Sequence, residues 1–82
     1  MMVAPSQIRA ARAMLNWSQD ELARRSRTSR RSITTIESEA APFAADTMLA
    51  LVMAFEAAGI EFTSKDGRYA VSGPAKAPAQ QR

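Results

Sequence analysis

Two helix starts crowd into one short stretch, SQDELARRSRTSRRSITTIE, and their spacing limits the folds open to the chain. Ser18 followed by Glu21 is a capping box, in which the serine hydroxyl takes a free backbone N–H and the carboxylate can reach back to the cap. Trp17, just before it, can pack on Leu22 as a hydrophobic staple. Ser29 then caps a second helix predicted over Arg30 to about Ser38, with Ile33 and Ile36 facing inward. Only Arg27 and Thr28 separate the two helices. Neighbours joined so tightly cannot fold back antiparallel, so they must cross steeply.

The flanking segments build a small core around this pair. Ser6 to Leu15, after Pro5, reads as a helix with Ile8, Ala11 and Leu15 on one buried stripe, Met14 beside it and Arg12 one step away. Asp46 is positioned to cap a further helix from Thr47 to Ala58, which Gly59 ends with a left-handed turn before Ile60. That helix has two apolar stripes, one of Met48, Leu51 and Phe55 and one of Leu49, Val52 and Met53. A small domain can bury one of them, and the other needs a partner. IEFTSKDGRYAVS reads as a hairpin whose four-residue loop, Ser64 to Gly67, would set Phe62 opposite Tyr69 and Ile60 opposite Val71. Two strands alone are marginal in water, so the hairpin must pack on the helices or extend a sheet with a second subunit. Residues 1–72 are expected to form one domain, and residues 73–82, which offer little to a core beyond alanine, a disordered tail.

Composition narrows the chemistry. With 82 residues the chain is one domain that buries only about 60% of its unfolded surface. It contains no cysteine and no histidine, so disulfides, the usual soft metal ligands, the commonest general base and a thiolate nucleophile are all missing. The carboxylates and hydroxyls are scattered and form no acid/base pair. No enzymatic activity, cofactor or metal is therefore expected. No apolar run approaches the roughly 20 residues of a membrane span, and no signal peptide is evident, so a soluble cytoplasmic protein without membrane contact is expected.

Charge is divided unevenly along the chain. Residues 1–36 hold seven arginines against Asp20 and Glu21, a balance of +5, whereas residues 37–82 hold four basic and six acidic side chains, a balance of −2. A basic half facing an acidic half orients a protein on a polyanion, nucleic acid before anionic membrane. The densest part is RRSRTSRR, residues 24–31, followed by SITTI, a run of middling helix formers. Local propensity did not select that run, which suggests that packing and an external surface did. Arginine bonds bidentately to guanine, and a threonine methyl can meet the thymine methyl, so Arg30, Arg31, Thr34 and Thr35 are candidates for base contact. Arg24, Arg25 and Arg27, with Thr28 and Ser32, are candidates for phosphates, which would make binding steeply salt-dependent. A lone Trp beside a capping box is more often a core anchor than a base-stacking platform, and Trp17 is read so.

Taken together, QIRAARAMLNWSQDELARRSRTSRRSITTIE resembles the helix-turn-helix of the phage-repressor-like family, of Cro/cI or XRE type. The resemblance spans residues 7–59 and rests on Ser18-Gln19, Leu22-Ala23, Ser29, Ile33 and Ile36-Glu37. It implies a mainly α fold, a lambda-repressor-like bundle of four to five helices with the hairpin appended. Gln19 to Ser26 would cross the phosphate backbone and Arg30 to Ser38 would enter the major groove. By the same resemblance Gln19 and Ser29 are similar to phosphate and positioning contacts, Arg30, Arg31 and Thr35 to base contacts, and Arg12 with Glu37 to a buried structural salt bridge. The chain departs from the family at Arg27, where glycine is usual in the turn, and at Ser38-Glu39, which replaces Arg-Gly or Asn-Gly after Glu37.

The expected function is that of a sequence-specific transcriptional regulator in a bacterial or phage setting. It would bind double-stranded DNA at a palindromic operator as a homodimer, using Leu49, Val52, Met53, Ile60, Phe62 and Tyr69 at the interface. The competing reading is an antitoxin or anti-activator, in which the apolar helix face and hairpin bind a protein partner and DNA binding serves autoregulation.

Overall fold

The computed structural model describes residues 3–40 and 42–75. Four helices, α1 (Pro5–Leu15), α2 (Gln19–Ser26), α3 (Arg30–Ser38) and α4 (Ala45–Ala57), precede an antiparallel hairpin of β1 (Glu61–Lys65) and β2 (Arg68–Ser72). The fold is thus mainly helical with a C-terminal hairpin, as the sequence led us to expect. Ile8, Ala11, Leu22, Ile33, Ile36, Leu51, Phe55 and Ile60 form one continuous core. Trp17 anchors its edge, stacked on Phe55 with ring centroids 5.5 Å apart and planes inclined by 16°. Phe62 of the hairpin meets the same Phe55 edge-on at 5.9 Å.

Helix boundaries follow local chemistry. Ser18 accepts from Glu21 N and Ser29 from Ser32 N, each at 3.0 Å, so both expected caps are made. The Glu21 carboxylate, however, turns to Arg24 and Arg25. Helix α4 begins two residues earlier than predicted, with Ala44 as an N-cap that supplies no side-chain bond, and Asp46 lies inside the first turn rather than at the cap. There its charge still complements the positive end of the helix. At the other end Gly59 adopts φ +93°, with Gly59 N bonded to Glu56 O and Ile60 N to Phe55 O, both at 3.0 Å. This Schellman closure turns Ile60 into the core.

The hairpin register differs from the predicted one. Phe62 pairs with Val71 and Ser64 with Tyr69, leaving a two-residue turn at Asp66-Gly67 in which both φ angles are positive, 54° and 73°. Such a turn matches the twist of the strands, and Asp-Gly adopts it readily. The strands therefore zip two residues further than apolar pairing suggested, and the slip by an even number keeps the same face inward. Gln7 fastens the hairpin to α1. Although buried, it is fully bonded: Nε2 donates to Thr63 O at 3.0 Å and Ala70 O at 2.9 Å, and Oε1 accepts from Ala4 N at 2.8 Å.

On α4, Leu51, Val52 and Phe55 are buried, while Leu49 and Met53 are 57% and 59% exposed. Val52 and Ile60, both expected at a dimer interface, instead lie in the chain's own core. The helix turns only about 100° per residue, so Val52 shares the inner face with its neighbour Leu51. Of the expected tail, residues 76–82 lie outside the described residues.

Candidate nucleic-acid interface

The turn between α2 and α3 is set by Arg27. Its backbone is left-handed, φ 58° and ψ 38°, and it ends α2 while Thr28 N bonds back to Ala23 O at 3.1 Å. The chain thus makes the left-handed turn with an arginine, at a cost of about 1–2 kcal/mol that glycine would avoid. Ser26 and Thr28 hydroxyls bond across the turn at 2.7 Å. Glu39 ends α3 in the same conformation, φ 56°, so the other departure from the family pattern also preserves the helix stop.

From α3 the residues Arg30, Arg31 and Thr34 are exposed and Thr35 is half-buried, while Ile33 and Ile36 point inward. One helix face therefore collects the candidate base contacts. Its orientation is fixed from behind by Glu37, which accepts from Arg12 Nε at 2.7 Å and Arg12 Nη2 at 2.9 Å. Arg12 Nη1 also donates to Trp17 O at 2.9 Å, and Arg9 bonds to the Glu37 carbonyl. Burial works to raise the Glu37 pKa. Hydrogen bonds from Arg12 and Gln19, with the charges of Arg12 and Arg9, outweigh it and hold the carboxyl below its ordinary range.

Gln19 joins this centre to the exposed face. Its Nε2 donates to Glu37 Oε1 at 3.1 Å, and its Oε1 accepts from Thr34 Oγ1 at 3.0 Å. Ser29 and Ser32, both at the start of α3, bond to each other at 2.9 Å.

The arginine cluster is not uniform. Arg24 and Arg25 share Glu21, whose pKa is lowered chiefly by the hydrogen bonds that they donate. Arg25 also covers the Trp17 ring, 4.5 Å from its centroid, and lies beside Ala54 and Ala57 of α4 and Ala58 just after it. Its side chain is thus turned toward α4, whereas Gln19 is turned toward α3. Arg30 lies 3.7 Å from Asp20. Among the described residues, Arg27 and Arg31 have no carboxylate partner. Arg31, Ser32 and Thr35 line one side of a shallow groove, with Pro42, Phe43, Ala44 and Thr47 on the other. Sequence reading missed that second wall, because the segment before α4 carries no periodic signal. It also missed Asp20, whose place beside Arg30 arises only from the packing of α2 against α3.

Two helices joined through Arg27, Thr28 and Ser29, the second exposing hydroxyls and arginines, have the arrangement of a helix-turn-helix DNA-binding regulator of transcription. A model of the helix-turn-helix family matches residues 8–58, and the chain belongs to that family, in its XRE-type, Cro/cI-like branch. This is a DNA-binding regulatory family and not an enzyme family. Comparison with curated proteins returns no match. Among the described residues no helix is long and apolar enough to cross a membrane.

Proposed function

We propose that the chain is a sequence-specific transcriptional regulator that binds a palindromic operator as a homodimer. The observation that carries this reading is the exposed face of α3, where Arg30, Arg31 and Thr34 stand together with no carboxylate of their own helix among them. In the groove these side chains would meet base edges, with Thr35 and the groove beside Phe43 flanking them. Gln19, Ser29, Ser32, Thr28 and Arg27 surround the face and suit phosphates, and Arg24 reaches them once released from Glu21. Residues 1–72 act as the DNA-binding unit, with Leu49, Met53 and Tyr69 offered to a second copy.

Selection from random duplexes, followed by titration of the selected site against scrambled DNA at several salt concentrations, tests the reading. The expected result is a site of two half-sites about 10 bp apart, bound by a dimer in ultracentrifugation. Arg30→Ala and Arg31→Ala should relax preference at particular bases, whereas Arg24→Ala should weaken all duplexes alike and flatten the salt dependence. Equal affinity for selected and scrambled DNA would refute sequence-specific reading. A stoichiometric non-self partner copurifying in place of a second copy would favour the antitoxin-type alternative.

A further inference from the structure

Phe43 stands just before α4, one residue ahead of its N-cap Ala44. From that position an apolar side chain commonly packs onto the fourth helical residue, here Met48. Phe43 nevertheless remains 42% exposed. Among the described residues it belongs neither to the core nor to the apolar side chains packed against it. A single exposed ring is ordinary on a protein surface, so its placement is what matters. With Pro42 and Ala44 it forms the apolar wall of a groove whose opposite wall is Arg31, Ser32 and Thr35 of α3.

Those three α3 residues lie within about one helical turn and share a flank of the helix. Arg31 and Thr35 are candidates for base contact, and Ser32 suits a phosphate. Among the described residues no hydrogen bond or ion pair engages the side chain of Arg31 or Thr35. The groove is therefore continuous with the reading face and lies where base edges give way to the sugar–phosphate strand. Thymine carries a methyl group in the major groove, on the side of the base nearest its own strand. An arginine and hydroxyls could serve any nucleotide. An apolar wall facing them favours the one whose base edge is itself apolar.

Resting on the sequence-specific reading above, we propose that the groove between Phe43 and the α3 flank is a thymine subsite. The Phe43 ring receives the C5-methyl of one thymine in each half-site, with Thr35 on the opposite wall. Phe43 is thereby a specificity-determining residue outside the reading helix.

Deoxyuridine lacks that methyl and pairs as thymine does. Duplexes selected from random sequence are remade with each thymine in turn replaced by deoxyuridine. They are titrated by fluorescence anisotropy with the full chain and its Phe43→Ala and Phe43→Gln variants, whose folding is checked by thermal melting. At one thymine in each half-site, methyl removal is expected to weaken the wild type roughly 3- to 5-fold, as expected for burying about one methyl group. Both variants should bind the thymine duplex more weakly by a similar factor and no longer distinguish thymine from deoxyuridine at that position. Neither substitution removes a charge, so affinity for random DNA should stay within about twofold and the salt slope should not change.

A wild type indifferent to every thymine methyl would overturn the proposal, as would an unchanged thymine-to-deoxyuridine ratio in the Phe43 variants. Equal weakening on all duplexes would place the ring on deoxyribose instead, and loss of the dimer with methyl preference intact would place it in the pairing surface. Both results overturn the subsite. Should Phe43→Ala fail to fold, Phe43→Gln and the wild-type comparison decide. Equal affinity for selected and scrambled DNA would instead strike the reading on which the proposal rests.

Discussion

Arg12 on α1 and Glu37 on α3 form a two-point ion pair, Nε to Oε2 at 2.7 Å and Nη2 to Oε1 at 2.9 Å, with the Glu37 side chain only 6% exposed. The pair fixes how the reading helix sits on the first helix. Its geometry matters more than its attraction, because desolvation offsets much of the Coulombic gain of a buried pair.

Removing one partner leaves the other buried without compensation. Arg12→Ala is expected to destabilise the fold by about 2–4 kcal/mol, below the upper range for fully buried pairs because Arg12 retains contact with water. Glu37→Gln, which keeps size and some hydrogen bonding, should cost less. Urea unfolding followed by circular dichroism checks both, and a change within experimental error for Arg12→Ala would mean that packing alone sets the helix crossing.

Acid should release the same pair. The folded-state pKa of Glu37 lies below its unfolded value of about 4.3. Its contribution is therefore complete above that value and is lost as pH falls through the depressed one. Glu21 titrates in the same direction, held low by the bonds from Arg24 and Arg25, but it lies at the surface, where salt screens it. Melting temperature measured from pH 6 down to pH 2 in high salt should fall for the wild type, and the Glu37→Gln variant should show a shallower fall.

Much of this arrangement was legible in the sequence because it is written locally. Ser18 and Ser29 are caps within reach of the backbone they cap, and Ile33 and Ile36 follow helical period, so α2, α3 and the short turn between them could be read residue by residue. The Arg12–Glu37 pair came from resemblance, since nothing local links residues 25 positions apart. Three features were misread for definable reasons. Asp46 resembled a cap but helix α4 starts without one. Apolar alternation placed Phe62 opposite Tyr69, yet the Asp-Gly turn governed the register. Val52 was assigned to an outer stripe that an almost wholly apolar helix does not distinguish by sequence. Gln7, Asp20 and Phe43 were passed over because their roles arise only from neighbours distant in the chain.

Arg27 opposes stability and binding to one another. Arg27→Gly removes the left-handed strain but adds backbone freedom to the unfolded chain, for a net gain of about 0.5–1 kcal/mol. It also deletes an exposed charge beside the turn. Thermal melting should rise while affinity for all duplexes falls, with the salt slope reduced by about one. A variant that melts higher with an unchanged salt slope would remove Arg27 from the phosphate contacts.

Gln7 is the polar tie between α1 and the hairpin, and its loss should be local. Gln7→Leu removes the two bonds donated to the Thr63 and Ala70 carbonyls, at a cost of about 0.5–1.5 kcal/mol for each. Hydrogen exchange should accelerate over residues 61–72 with far less change in α2 and α3. Binding to a single half-site should persist. Uniform acceleration across all helices would show that the hairpin is an integral part of the core rather than an attachment to it.

Leu49 and Met53 stand one helical turn apart and expose their side chains on the same flank of α4, where lysine would be tolerated by the monomer fold. The double variant Leu49→Lys with Met53→Lys is therefore expected to fold and melt like wild type while sedimenting as a monomer. Its affinity for one half-site should match that of wild type, because the α3 face is untouched. On a two-half-site operator the second binding event loses its tethering, and affinity should drop on the order of 100-fold. If the variant remains dimeric in ultracentrifugation, the pairing surface lies elsewhere, and exposed Tyr69 on β2 becomes the next position to charge.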